Sequence, residues 1–80
     1  MQLIEIIQTA IQQGLPCDSV HVSGDGQHFE AIVVSSSFVG KSRVACHQMV
    51  FNTLGERMRE EVHALSIKTY TPAQWTEMQG

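Results

Sequence analysis

The chain predicts an α+β fold of order α-β-β-α-β-α, with a mixed three-stranded sheet carrying its helices on one face. Three observations lead there. Residues 3–13 and 41–62 repeat apolar side chains at helical spacing, residues 18–23 and 64–70 alternate in twos, and glycine-rich or proline-bearing breaks separate the segments. Eighty residues make room for one small domain, taken as 1–80. With 42% hydrophobic and 16% charged residues, the chain is too apolar and too weakly charged for the disordered class.

The first helix sets Leu3, Ile4, Ile7, Ala10 and Ile11 on one side of the wheel, with Glu5, Gln8, Gln12 and Gln13 largely opposite. Gly14 suits a left-handed C′ position and Pro16 prevents continuation, so this helix is expected to stop near Gln13. In the strand that follows, Val20 and Val22 alternate with Ser19, His21 and Ser23. Gly24, Asp25 and Gly26 then supply a hairpin turn. The second arm, Phe29 to Val34, is apolar on both parities except at Glu30, as befits a central strand.

After a break at Ser35 to Gly40, the long helix over 41–62 is read with Val44, His47, Phe51, Leu54 and Met58 as its buried stripe. Gly55 inside it marks a close contact or early fraying. The third strand puts Leu65 and Ile67 on one face and Ser66 and Lys68 on the other. Thr71, Pro72 and Gln74 then spell an N-cap, a first-turn proline and a capping-box partner for a short helix holding Trp75. A strand, helix and strand in one sheet form a right-handed parallel crossover, which places the third strand beside the second. Both long helices then share one face, and the other face is left for solvent or a partner.

Composition narrows function. Five Lys and Arg against eight Asp and Glu give a net charge of −3, which excludes phosphate-backbone binding by sheer charge. All five cations, Lys41, Arg43, Arg57, Arg59 and Lys68, fall in the second half, so one surface can still be locally basic. Cys17 and Cys46 form neither a disulfide framework nor a zinc motif. The N-terminal stretch lacks the basic start and cleavage site of a secretory signal, and no uncharged run reaches membrane-spanning length. A reduced, cytoplasmic protein is expected, with no membrane partner.

Catalysis has little support. The run VVSSSFVGKS imitates a phosphate-binding loop, but Ser35 stands where that motif requires its first glycine. Cys46 and His47 are helical neighbours about 100° apart, the wrong geometry for an imidazole-activated thiolate. No nucleophile, base and orienting acid share a known spacing, so an enzyme is not expected.

Of four histidines, His47 falls within the apolar stripe and reads as a packed or helix-junction residue, and His21 as a solvent-facing one. His28 ends the hairpin turn and His63 precedes the third strand, so the parallel pairing draws attention to both. Imidazole binds iron or zinc through a neutral nitrogen, and two histidines would leave a tetrahedral ion half-coordinated, so such a site needs ligands from a partner. The alternative is a pair of ordinary surface histidines.

From Gly24 to Trp75 the chain resembles the BolA-like family. HFEAIVVSSSFVGKSRVACHQMVFNTLGERM is similar to that family's strand, its F-x-G-K turn and the helix after it, and VHALSIKTYTPAQW is similar to its closing V-H-A-L and T-P-x-x-W motifs. The short turn in HVSGDGQHF most resembles the IbaG (YrbA) branch. The resemblance implies a fold similar to class II KH domains and two functional classes. In the first, a BolA-like protein pairs with a monothiol (CGFS-type) glutaredoxin and its glutathione and shares a two-iron, two-sulfur cluster, in iron–sulfur homeostasis and stress response. The V-H-A histidine, here His63, supplies one ligand. The family's second ligand comes from a Cys or His in the loop between the first two strands; SGDGQ contains neither, and His28 is the nearest substitute.

The second class is nucleic-acid binding in transcriptional regulation, with Lys41, Arg43 and Lys68 as phosphate contacts and the amides of Gly40 to Ser42 as a helix N-terminus. GKSR keeps only the first glycine of the KH domain's GxxG loop. A weak homodimer is left open.

Overall fold

The computed structural model describes residues 3–55 and 64–79. In chain order it contains α1 (Leu3–Gly14), β1 (Ser19–Gly24), β2 (Phe29–Val34), α2 (Arg43–Leu54), β3 (Leu65–Tyr70) and α3 (Pro72–Gln79), with one turn of 3-10 helix at Ser36–Phe38. The strands lie in the order β1-β2-β3. β1 runs antiparallel to β2, with Val20 opposite Val33 and Val22 opposite Ala31. β3 runs parallel to β2, with Phe29 opposite Leu65 and Ala31 opposite Ile67. The expected α+β class, element order and mixed sheet are all present.

Strand periodicity divides the sheet into two faces. Val22, Phe29, Ala31, Val33, Leu65 and Ile67 form one core with Ile7, Ala10 and Ile11 of α1 and Cys46, Val50 and Leu54 of α2. Both long helices therefore cover the same face. The opposite face carries the row His21, Ile32 and Lys68, and beside it Ser23, Glu30 and Ser66.

Local expectations were corrected at three points. Gly14 belongs to α1 and does not take a left-handed conformation. Its glycine identity answers to packing, because a Cβ there would meet the Thr53 side chain of α2 at 2.8 Å. The long helix runs only from Arg43 to Leu54; Gly55, at φ 56°, ends it by adopting a backbone that side-chain-bearing residues avoid. The rest of the expected helix, residues 56–62 with Met58, lies outside the described residues. The buried stripe of α2 is Cys46, Val50 and Leu54, not the one starting at Val44, which is 78% exposed. Phe51 and His47 are half-buried at its flank.

Caps follow the sequence more closely. Ser42 caps α2, its hydroxyl accepting from the Ala45 N–H at 3.1 Å. Thr71 and Gln74 form the reciprocal capping box of α3, with bonds of 2.9 and 3.2 Å. α3 buries no residue fully; Trp75 rests on Tyr70 with ring centroids 5.4 Å apart.

Candidate functional site

Of the residues singled out by sequence, His28 lies at one end of the sheet and Lys41 and Arg43 lie toward the other. β2 and β3 are parallel, so both start at the His28 end and finish near Tyr70, a strand length of about 20 Å away.

At the first end, a four-residue turn, Asp25 to His28, joins β1 to β2. The Asp25 carboxylate accepts the N–H groups of Gln27 (2.9 Å) and His28 (2.8 Å), and the Asp25 N–H donates to the His28 carbonyl at 3.1 Å. Gly26, at φ 98°, supplies the left-handed residue that this turn needs. The same two N–H bonds, His28's first, hold the Asp25 carboxyl below the usual aspartate range. His28 is thus fixed through its backbone, and its exposed side chain borders a shallow depression with Ser23, Asp25, Phe29, Glu30 and Ser66. Phe29 stands level with Leu65, so the two strand starts lie side by side. His63 lies outside the described residues. Among the described residues no three His, Cys, Asp or Glu side chains are grouped closely enough to hold a metal.

The cysteines do not add to this end. Cys17 donates to the Leu15 carbonyl at 3.1 Å, and burial, reinforced by the Asp18 charge, pushes its thiol up, away from the reactive thiolate. Cys46 is buried in the core, whereas His47 lies half-buried toward β3, so the two do not act together.

At the second end, Lys41 and Arg43 flank the Ser42 cap and border a cavity of about 580 Å³ that reaches Thr69, Tyr70, Glu77 and Met78. Arg43 also borders a smaller cavity with His47 and Lys68. The three expected phosphate contacts therefore share one surface, and Arg43 is common to both of its parts. Lys68 is committed in part to Glu30, with Nζ 3.4 Å from the carboxylate and both side chains about half exposed.

Sequence reading missed Glu30 as the partner of Lys68, and His47 and Tyr70 as walls of this surface. The signal was the parallel register: Glu30 pairs with Ser66, which puts Lys68 one step along the same face. No helix among the described residues is long and apolar enough to cross a membrane.

Residues 3–74 match the family model described as BolA-like protein. The chain is 47% identical over 70 residues to the acid stress protein IbaG of Escherichia coli K12, covering 86% of this chain and 83% of that protein. It is 30% identical over 76 residues to the DNA-binding transcriptional regulator BolA of the same organism, covering 95% of this chain and 67% of that one. The structure of a BolA homologue from Coxiella burnetii superimposes with a TM-score of 0.81 at 40% identity, covering 95% of this chain and 99% of the other. Sequence motifs, strand order and these likenesses agree, and the chain belongs to the BolA-like family.

Proposed function

We propose that this protein is a non-enzymatic cytoplasmic adaptor that pairs with a monothiol glutaredoxin and its glutathione to share or transfer a two-iron, two-sulfur cluster. The observation that carries the reading is the level start of β2 and β3. His28 precedes Phe29 directly, and His63 is two residues along the chain from Leu65, a reach of about 7 Å. In this reading both imidazoles serve the same end of the sheet.

The donor set fits half a site. A cluster is held by four thiolate or imidazole ligands, and this chain offers two imidazoles at most. Cys17 is tied to a backbone carbonyl and Cys46 is buried, so the thiolates come from the partner. His28 brings a side chain open to solvent on a backbone already fixed by Asp25, which lowers the ordering cost of ligation. When bound, the cluster supplies the one-electron chemistry, and imidazole ligation raises its potential and couples its release to protonation.

Mixing the protein with a cluster-loaded CGFS glutaredoxin and following visible circular dichroism tests this. A new spectrum is expected, lost in His63→Ala and weakened in His28→Ala. An unchanged spectrum, or wild-type behaviour of His63→Ala, counts against it.

A second reading, nucleic-acid-linked regulation of the stress response, is favoured by the shared surface of Lys41, Arg43 and Lys68 and by the likeness to a protein named as a DNA-binding regulator. With three cations, one of them shared with Glu30, few phosphates are neutralised. Its test is a salt titration of DNA affinity, with an expected log–log slope of about −2 to −3; a slope near zero removes it.

A further inference from the structure

β3 is an edge strand: among the described residues no strand pairs with its outer side. The smaller cavity touches Ile67, Lys68, Thr69 and Tyr70, four consecutive residues whose side chains alternate between faces. A cavity that meets all four runs along the strand's edge, where the backbone is presented, with Arg43 and His47 of α2 as its far wall. The parity of that edge is fixed by one bond. The Ser35 N–H donates to the Tyr70 carbonyl at 3.0 Å, so Tyr70 and, by alternation, Lys68 turn their peptide groups toward β2. Ile67 and Thr69 turn theirs outward.

The charges beside this edge are mainly cationic, with Lys41 and Arg43 on the α2 side. Lys41, Arg43 and Lys68 are the Lys and Arg of the described residues, and all three border it or the cavity that continues it; the carboxylates there are Glu77 and, 3.4 Å from Lys68, Glu30. Among the described residues three large apolar side chains are left exposed, one of them at this surface. Val39 (64%) and Val44 (78%) bracket the stretch from Gly40 to Arg43, and Met78 (61%) borders the larger cavity.

We propose that the outer edge of β3 is a docking site for an extended segment of a partner protein that alternates acidic and apolar residues and adds as a fourth strand. A strand edge offers donors and acceptors in turn, and a polypeptide satisfies both. A phosphate backbone brings acceptors alone, so it would meet the Ile67 and Thr69 carbonyls with like charge; this favours a peptide over a nucleic acid. Acidic side chains at alternate positions answer Arg43 and Lys41 on the helix-covered side of the edge, and the intervening apolar ones turn to the open face, along the aliphatic stem of Lys68. The proposal stands apart from the cluster reading, whose described residue, His28, lies at the other end of the sheet.

The probe is an end-blocked octapeptide of alternating Glu and Val, added to the whole chain and read by amide hydrogen exchange and by anisotropy of a labelled copy. The amides of Ile67 and Thr69 are expected to slow on binding, while those of Lys68 and Tyr70, already within the sheet, do not change. Arg43→Glu is expected to weaken binding roughly tenfold. That variant should fold, because an acid in the first turn of α2 suits the helix dipole. Equal binding of a Lys–Val octapeptide overturns the proposal. So does binding that leaves Ile67 and Thr69 unprotected, or protection of those amides by a single-stranded oligonucleotide of the same charge.

Discussion

Ser35 is fully buried, yet every polar group it carries has a partner. Its hydroxyl donates to the Pro16 carbonyl and accepts from the Ser37 N–H; its N–H donates to Tyr70 and its carbonyl accepts from Phe38. One side chain thus ties the segment after α1 to the end of β2. Ser35→Ala should cost about 1–3 kcal/mol, the penalty for leaving buried partners unmade, and urea denaturation measures it. Asp25 works at the surface, where solvent access makes its contribution a matter of sign. Its folded pKa is depressed, so the turn is supported above the ordinary aspartate value near 4 and loses that support as pH falls through the lower folded value. Asp25→Asn should flatten the pH dependence of the Gln27 and His28 amide shifts in that window. The turn itself was legible, because Gly-Asp-Gly between alternating runs has few other uses. Ser35 was not, since burial of a serine in a serine-rich break depends on chain segments that sequence does not bring together.

Among the elements, α2 shows why a helix can be found and still be misread. Its apolar residues, Val44, Cys46, Met49, Val50, Phe51 and Leu54, spread over a wide arc, so more than one stripe can be drawn through them. The stripe through Val44 and Phe51 is rotated from the true one by less than one residue's turn of about 100°. Tertiary packing against α1 and β3 selects Cys46, Val50 and Leu54. Val50→Ala should therefore cost about 2 kcal/mol in chemical denaturation, and Val44→Ala less than about 0.5 kcal/mol. The reverse order would restore the sequence-based stripe. Length was misjudged for a related reason: a glycine inside a periodic run signals either a tolerated defect or a stop, and only the φ of Gly55 decides. β2 and α3 were legible because their signals are strict: Val34 precedes a run of serines, and the capping box of α3 needs two particular side chains three residues apart.

At the scale of the molecule, the sheet is unequal in its edges and its faces. β2 is bonded on both sides and covered by the helices, so its amides should exchange most slowly, and those of α3, which buries no residue fully, among the fastest. Exchange mapped by NMR checks that order. Mixed topology was readable from element order and the handedness of crossovers. The separation of His28 from the cationic end was not, because it depends on parallel register. A last consequence concerns how the hairpin can be remodelled. Gly24 lies against the Phe29 ring, where a Cβ would come within 2.5 Å of an aromatic carbon, so the final rung of the ladder accepts no larger residue at position 24. A Cβ at Gly26 meets nothing within 4 Å. The ladder is closed below the turn and open above it, which makes the span between Asp25 and His28 a graft point. A cysteine-bearing insert there should leave the pairing of Gly24 with Phe29 intact, seen as an unchanged cross-strand nuclear Overhauser contact, while giving the chain a thiolate ligand of its own.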